Sequence, residues 1–244
     1  MAQVDALGFY ASVFDTVEVN ATFHGLPSAS TVRSWYDKTP HGFSFALKVP
    51  REITHDMRLE RPAVEPRTQH FLRVASQLGD KCGPMLVQLP PSFERTREHE
   101  RRLNEFLELL PSDRYEVAIE LRHRAWAEHK FEQALRDRNV AWVLVEGDQP
   151  NARSLLFTAD FTYIRWNRAG LPMRNWSELQ YDRADALDWW AAQILALPAS
   201  VKTVYGYMSN EFAGHAPASL AMLCERLGLD WRDPQTNWQQ QVLF

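Results

Sequence analysis

Along the chain, short runs rich in β-branched and aromatic residues alternate with longer stretches in which apolar residues recur every three or four positions. Seven such runs stand out: DTVEVNATF, GFSFALKVP, PMLVQLPP, YEVAIELRH, VAWVLVEGD, FTYIRWN and VKTVYGYMSN. Their length and period-two alternation predict strands. Between them RTQHFLRVASQLGDKCG, REHERRLNEFLELLP, HKFEQALRDRNV, RADALDWWAAQILALP and APASLAMLCERLGL carry helical spacing, three of them stopped by Gly83, Pro111 or Gly228. Strand and helix recur at roughly 30 residues, the size of a βα unit. Parallel strands need crossovers, so this order predicts a mostly parallel sheet covered by helices. With no splitting linker, the expected fold is one TIM-barrel-like (β/α) barrel over residues 1–244, with a C-terminal tail from about 229. A doubly wound sheet is the alternative, but no glycine-rich loop of the dinucleotide-binding kind follows the first strand.

In a barrel one strand face meets the helices and the other meets the axis. The valines and isoleucines belong against the helices, which turns their polar neighbours inward. In DTVEVNATF, Val17 and Val19 share one face, leaving Glu18 and Asn20 on the other. The same parity turns Lys48, Gln88, Glu120, Arg122 and Arg165 inward, and Glu146 opposes Val145. The last strand is ambiguous because Gly206 and its tyrosines do not mark a face, but Asn210 sits at its C-terminal end. That end of the strands is where barrel enzymes build their sites.

Inward ions are costly unless paired or used. Lys48, Arg122 and Arg165 suit a phosphate or carboxylate through charge-assisted hydrogen bonds, with Asn20, Gln88 and Asn210 as further substrate contacts. Glu18 and Glu120 fit acid and base roles if their surroundings separate their pKa values. His55, just past a strand end in REITHDMRL, is a third proton carrier. The plain alternative is that these charges only satisfy one another, and that Glu146 and Asn210 cap or face water. No HExxH and no paired cysteine spacing occurs among the eight histidines and two cysteines, so no metal or other cofactor is expected. The serines lack a nucleophile elbow. Cys82 and Cys224 are expected to pack, as are the aromatic pairs Trp189 with Trp190 and Tyr205 with Tyr207.

Composition narrows the function class. The chain is 45% hydrophobic with nine tryptophans, ample for a large core, and its net charge of −4 gives no basic surface for nucleic acid. It has no signal-peptide pattern and no apolar run long enough to span a bilayer, so a cytoplasmic protein is expected. Two functions from different classes fit. One is an enzyme of hydrolase or lyase type, using acid–base or hydrolytic chemistry on a small anionic or polyhydroxylated substrate. The other is a non-catalytic barrel that binds a metabolite or anion. A nucleic-acid-processing barrel is third, with the acidic charge against it.

The motifs FDTVEVNATFHGLPS, TVRSWYDKTPHGFSFALKVPREITHDMRL, PMLVQLPPSF, AIELRHRAW, YIRWN and VYGYMSNEFAGHAPASLAML resemble the YecE-like family, domain of unknown function 72, over nearly the whole chain. The resemblance implies a TIM-barrel-like fold and places the family's recurrent polar positions on Glu18, Asn20, Lys48, His55, Gln88, Glu120, Arg122, Arg165 and Asn210. It implies no reaction. Three departures stand out. His24 replaces a usual tyrosine, Ser209 replaces the first of a usual asparagine pair, and the usual first strand with its Gly…Gly-Trp segment is not seen before ALGFYASVF. The barrel is therefore expected to be open by one strand, with unpaired edges. A longer start, a partner chain through self-association at the open edge, or the tail with Trp231, Trp238 and Leu243 would cover it.

Overall fold

The protein is described by a computed structural model covering residues 5–127, 131–147, 155–167 and 172–234. Eight strands are assigned: β1 Thr16–Val19, β2 Ser44–Lys48, β3 Cys82–Leu89, β4 Val117–Leu121, β5 Val140–Trp142, β6 Leu144–Val145, β7 Phe161–Trp166 and β8 Thr203–Met208. Every pairing is parallel, in two sheets of order β1-β2-β3-β4-β5 and β6-β7-β8. The expected fifth run is therefore read twice. VAWVLV is one segment interrupted at Val143, whose N–H still donates to Ile119 O at 2.9 Å. Before the interruption the segment pairs with β4; after it, with β7. The two sheets are thus consecutive, and the described strands do not form a closed barrel. Among the described residues no strand pairs with the outer edges of β1 and β8. The Thr16 and Tyr207 hydroxyls meet across that gap at 2.9 Å.

The α-helices of five or more residues are α1 Ala6–Val13, α2 Ala29–Lys38, α3 Val64–Ala75, α4 Arg97–Leu107, α5 Glu132–Arg136, α6 Ala184–Leu195 and α7 Ala216–Leu227. Local chemistry sets several ends. Ser28 and Thr96 accept N-capping bonds from Thr31 N and His99 N, both at 3.1 Å. Helix α7 has a proline in its first turn and stops at Gly228, whose φ of 66° is the left-handed cap that glycine takes without strain.

Strand parity separates two layers. Phe45, Leu47 and Val49, then Met85, Val87 and Leu89, then Val117, Ile119 and Leu121 pack in one cluster with Phe71 and Val74 of α3 and Leu103 and Phe106 of α4. Their neighbours Ala46, Leu86 and Ala118 join Ala141, Val143, Val145, Phe161 and Tyr163 in a second cluster on the opposite face. The small and branched residues of that inner layer leave its C-terminal end to the polar side chains. One parity assignment is corrected here. Val145, not Glu146, lies in the inner layer, because every second residue of β5 and β6 facing that side is Ala or Val and gives no polar signal. No helix among the described residues is long and apolar enough to cross a membrane.

Candidate functional site

Four strands bring the inward charges together. Register pairs Gln88 with Glu120 across β3 and β4, and Arg165 with Tyr207 across β7 and β8. At the centre lies Glu120, 2% exposed. Its Oε1 accepts from Arg122 Nε at 2.6 Å, and its Oε2 accepts from Gln88 Nε2 at 2.9 Å and Arg165 Nη1 at 2.5 Å. Arg165 reaches on to Glu18, with Nη2 donating to Oε1 at 2.8 Å, and Tyr163 Oη donates to the other Glu18 oxygen at 2.8 Å. Both expected acid–base carboxylates thus sit in one buried network with Arg165 between them.

The electrostatics follow from that geometry. Burial pushes the Glu120 carboxyl up, but Arg165, Arg122 and the Gln88 amide together hold it below its usual value. Burial likewise opposes the charge on Arg165, and Glu18 and Glu120 overcome it, so the guanidinium is held protonated. Tyr163 is raised by burial and by the Glu18 charge, and stays a phenol. Sequence parity missed Tyr163, although it shares a face with Arg165 in FTYIRWN; a buried phenol two residues before an inward arginine was the available signal. Tyr205 and Tyr207, expected only to pack, also carry polar bonds: Tyr205 Oη donates to Glu116 Oε2 at 2.7 Å.

Lys48 and His55 flank one aromatic ring. Lys48 Nζ lies 4.0 Å from the centroid of Phe23, and His55 meets the same ring edge-on at 5.1 Å. His55 sits in a wide helical turn, Glu52–Asp56, directly after β2. Its Nδ1 is 2.9 Å from Thr54 Oγ1, whose own proton goes to Pro50 O at 3.2 Å. A hydroxyl has one proton to give: with that proton on Pro50 O, Nδ1 donates to Oγ1 and Nε2 keeps the lone pair. Burial, then the positive charges of Arg51, Lys48 and Arg122, lower His55 to about 4. The imidazole is therefore a neutral proton acceptor at pH 7.

A cavity of about 1350 Å³ is lined by Glu18, Asn20, Glu120, Arg122 and Arg165, and runs out past Val17, Val204 and Met208 through the gap between β1 and β8. Lys48, His55, Gln88 and Asn210 are not in its wall. Asn210 Oδ1 accepts from Ala216 N at 2.7 Å, holding the start of α7. Ser209 and Glu211 line the cavity at that rim instead. Glu146 reaches the rim as well, engaged by Arg183 Nη2 and Trp190 Nε1. At the gap, Trp231 packs edge-on against Phe14 and Arg232 pairs with Asp15 just before β1; Trp238 and Leu243 lie outside the described residues. Among the described residues no three His, Cys, Asp or Glu side chains gather as a metal cluster.

Comparison with known proteins gives one consistent answer. A family model described as "Protein of unknown function DUF72" matches residues 1–241. The UPF0759 protein YunF of Bacillus subtilis (strain 168) is 24% identical over 246 residues, covering 91% of this chain and 86% of that protein. A DUF72 family crystal structure from Enterococcus faecalis V583 superposes with a TM-score of 0.78 at 21% identity, covering 94% of this chain and 90% of that one. Another, from Thermotoga maritima MSB8, gives 0.75 at 25% identity over 91% and 88% of the two chains.

Proposed function

We propose that this chain, which belongs to the DUF72 family, is an enzyme that binds a small anionic substrate at the C-terminal rim and moves a proton on it by acid–base or hydrolytic chemistry. The observation that carries this is Arg122. It lines the cavity, its side chain is 30% exposed, and only its Nε is engaged, by Glu120. Its two terminal nitrogens have no partner among the described residues and form the fork that grips a carboxylate or phosphate. Asn20 lines the same wall and supplies an amide. Proton transfer falls first to His55 through Nε2. Glu18 and Glu120 hold the cations in the resting site and take a proton only as a substrate anion displaces Arg165 or Arg122.

That saturation of both carboxylates favours a second reading, a barrel that binds an anion without consuming it. In either case the two consecutive sheets are read as a TIM-barrel-like (β/α) barrel open by one strand between β1 and β8, because their inner faces share one polar network. The same reading keeps the chain in the cytoplasm, with Cys82 and Cys224 as free thiols. It also includes self-association of the two free edges, which are templates for a further strand.

Thermal unfolding of the wild type and of Arg122→Ala with phosphate, small carboxylates and sugar phosphates tests the site. A ligand at 100 times its dissociation constant stabilises by roughly 2.7 kcal/mol, a shift of several degrees at this size. The expected result is a shift in the wild type that Arg122→Ala loses. Loss of that ligand from solution on incubation then marks the enzyme, and its persistence marks the binder. Equal shifts in both proteins, or none in either, overturn the assignment.

A further inference from the structure

Two lysines are buried to almost the same extent, and the structure treats them in opposite ways. Lys81 is 6% exposed, and its ammonium donates to Tyr36 O and Thr39 O at 2.6 Å and to Thr39 Oγ1 at 3.2 Å. Three donors meet three acceptors, the arrangement a buried ammonium needs. Lys48 is 7% exposed, and its Nζ has neither a hydrogen bond nor an ion pair among the described residues. The exposed Lys38 and Lys202 are both ion-paired, to Asp5 and Asp160. The face of Phe23 offers Lys48 a cation–π contact, which is worth less than the three bonds it lacks.

Its surroundings explain why no carboxylate comes to it. Glu120 is held by Gln88, Arg122 and Arg165, and Glu18 by Arg165 and Tyr163. Burial first, then the Arg165 charge, lower the Lys48 ammonium to about 8, against the opposing pull of Glu18 and Glu120. The nitrogen is not sealed. The fully buried side-chain atoms that lack a partner belong to Trp142, Arg165, Trp166 and Arg183, and Lys48 Nζ is not among them. A desolvated amine that no acceptor holds and that is not fully occluded, cations that draw an anion, and a neutral imidazole on the same ring are what imine chemistry requires.

We propose that Lys48 is an imine-forming nucleophile and that the substrate of this site is a small anionic aldehyde or ketone. This rests on the reading of the rim as an anion site. The lysine amine adds to the carbonyl carbon, a C–N bond forms, and the carbonyl oxygen takes the proton lost by nitrogen. The resulting carbinolamine gains one proton on its hydroxyl and expels water as the nitrogen lone pair closes the C=N bond. The net change is amine plus carbonyl plus one proton to protonated imine plus water. His55 Nε2 relays the proton from nitrogen to the carbonyl oxygen in the first half, and the further proton that leaves with the hydroxyl as water is drawn from solvent.

Incubation with glyoxylate at pH 8, reduction by cyanoborohydride and peptide mass mapping test the proposal, with thermal shifts recorded on the same mixtures. The expected result is one adduct on Lys48, formed roughly tenfold or more faster than on the exposed, ion-paired Lys202. The adduct is suppressed by excess phosphate, absent in Lys48→Arg and slowed in Arg122→Ala. Adducts on Lys38 and Lys202 with Lys48 unmodified overturn it. If glyoxylate stabilises the wild type but Lys48 is never labelled, the imine fails while the anion site stands. If glyoxylate neither stabilises nor labels, both fail.

Discussion

Arg165 holds two carboxylates on its two terminal nitrogens, and the buried Glu120 binds two arginines and an amide in return. Truncating one member of such a group leaves the others charged and unmet. Glu120→Gln should therefore cost about 3–5 kcal/mol of stability, read as a lowered urea midpoint at unchanged slope. The pH dependence has a definite sign. Glu120 is depressed in the folded state, so its contribution is complete above the ordinary carboxyl value and is lost as pH falls through the folded one. His55 adds to this from higher pH. Folded at about 4 and unfolded near 6.5, it binds fewer protons in the native state, so stability falls as pH drops from 6.5 toward 4. The Tm of Glu120→Gln should therefore depend less steeply on pH below 4.5 than that of the wild type. At this scale the alternation of Val17, Glu18 and Val19, or of Ile119, Glu120 and Leu121, was enough to find the network. The tautomer of His55 and the isolation of Lys48 were not legible, because both depend on which acceptors other side chains have already taken.

Among the elements, β8 shows why parity was silent where it mattered. Gly206 faces the helices, and a Cβ there would lie 2.8 Å from the Trp166 ring. Trp166 in turn packs edge-on against Trp190 of α6 at 5.6 Å. The glycine that hides the strand's two faces is the space the tryptophan needs. Gly206→Ala should cost about 1–3 kcal/mol by overpacking, measured by denaturant unfolding, and Gly206→Ala with Trp166→Phe should recover part of it. The break at Val143 was equally invisible. Ala141, Val143 and Val145 read the same facing a helix or an axis, so neither the change of partner from β4 to β7 nor the place of Glu146 could be taken from the pattern.

For the whole molecule, the order of strands and helices was legible throughout, since each βα unit repeats the same local signals. The gap between β1 and β8 followed only from resemblance, because an edge left without a neighbour has no signature in the residues that form it. The tail covers part of it through Trp231 against Phe14 and Arg232 against Asp15. The backbone edges above stay unpaired among the described residues. Sedimentation between micromolar and hundreds of micromolar protein should therefore show concentration-dependent dimers, which Thr203→Pro, placed on the β8 edge, should suppress.

The span of the Arg165 network has a further consequence, in time rather than space. Glu18 and Arg165 are 147 residues apart, and Glu120 and Arg165 are 45 apart. During synthesis at about 5–20 residues per second, the first carboxylate therefore waits several seconds for its counter-ion. Until β7 emerges, packing β1 to β4 would bury two negative charges without the guanidinium that bridges them, leaving only Arg122 and Lys48 nearby. The charge balance of the inner layer is therefore complete only once the seventh strand is present.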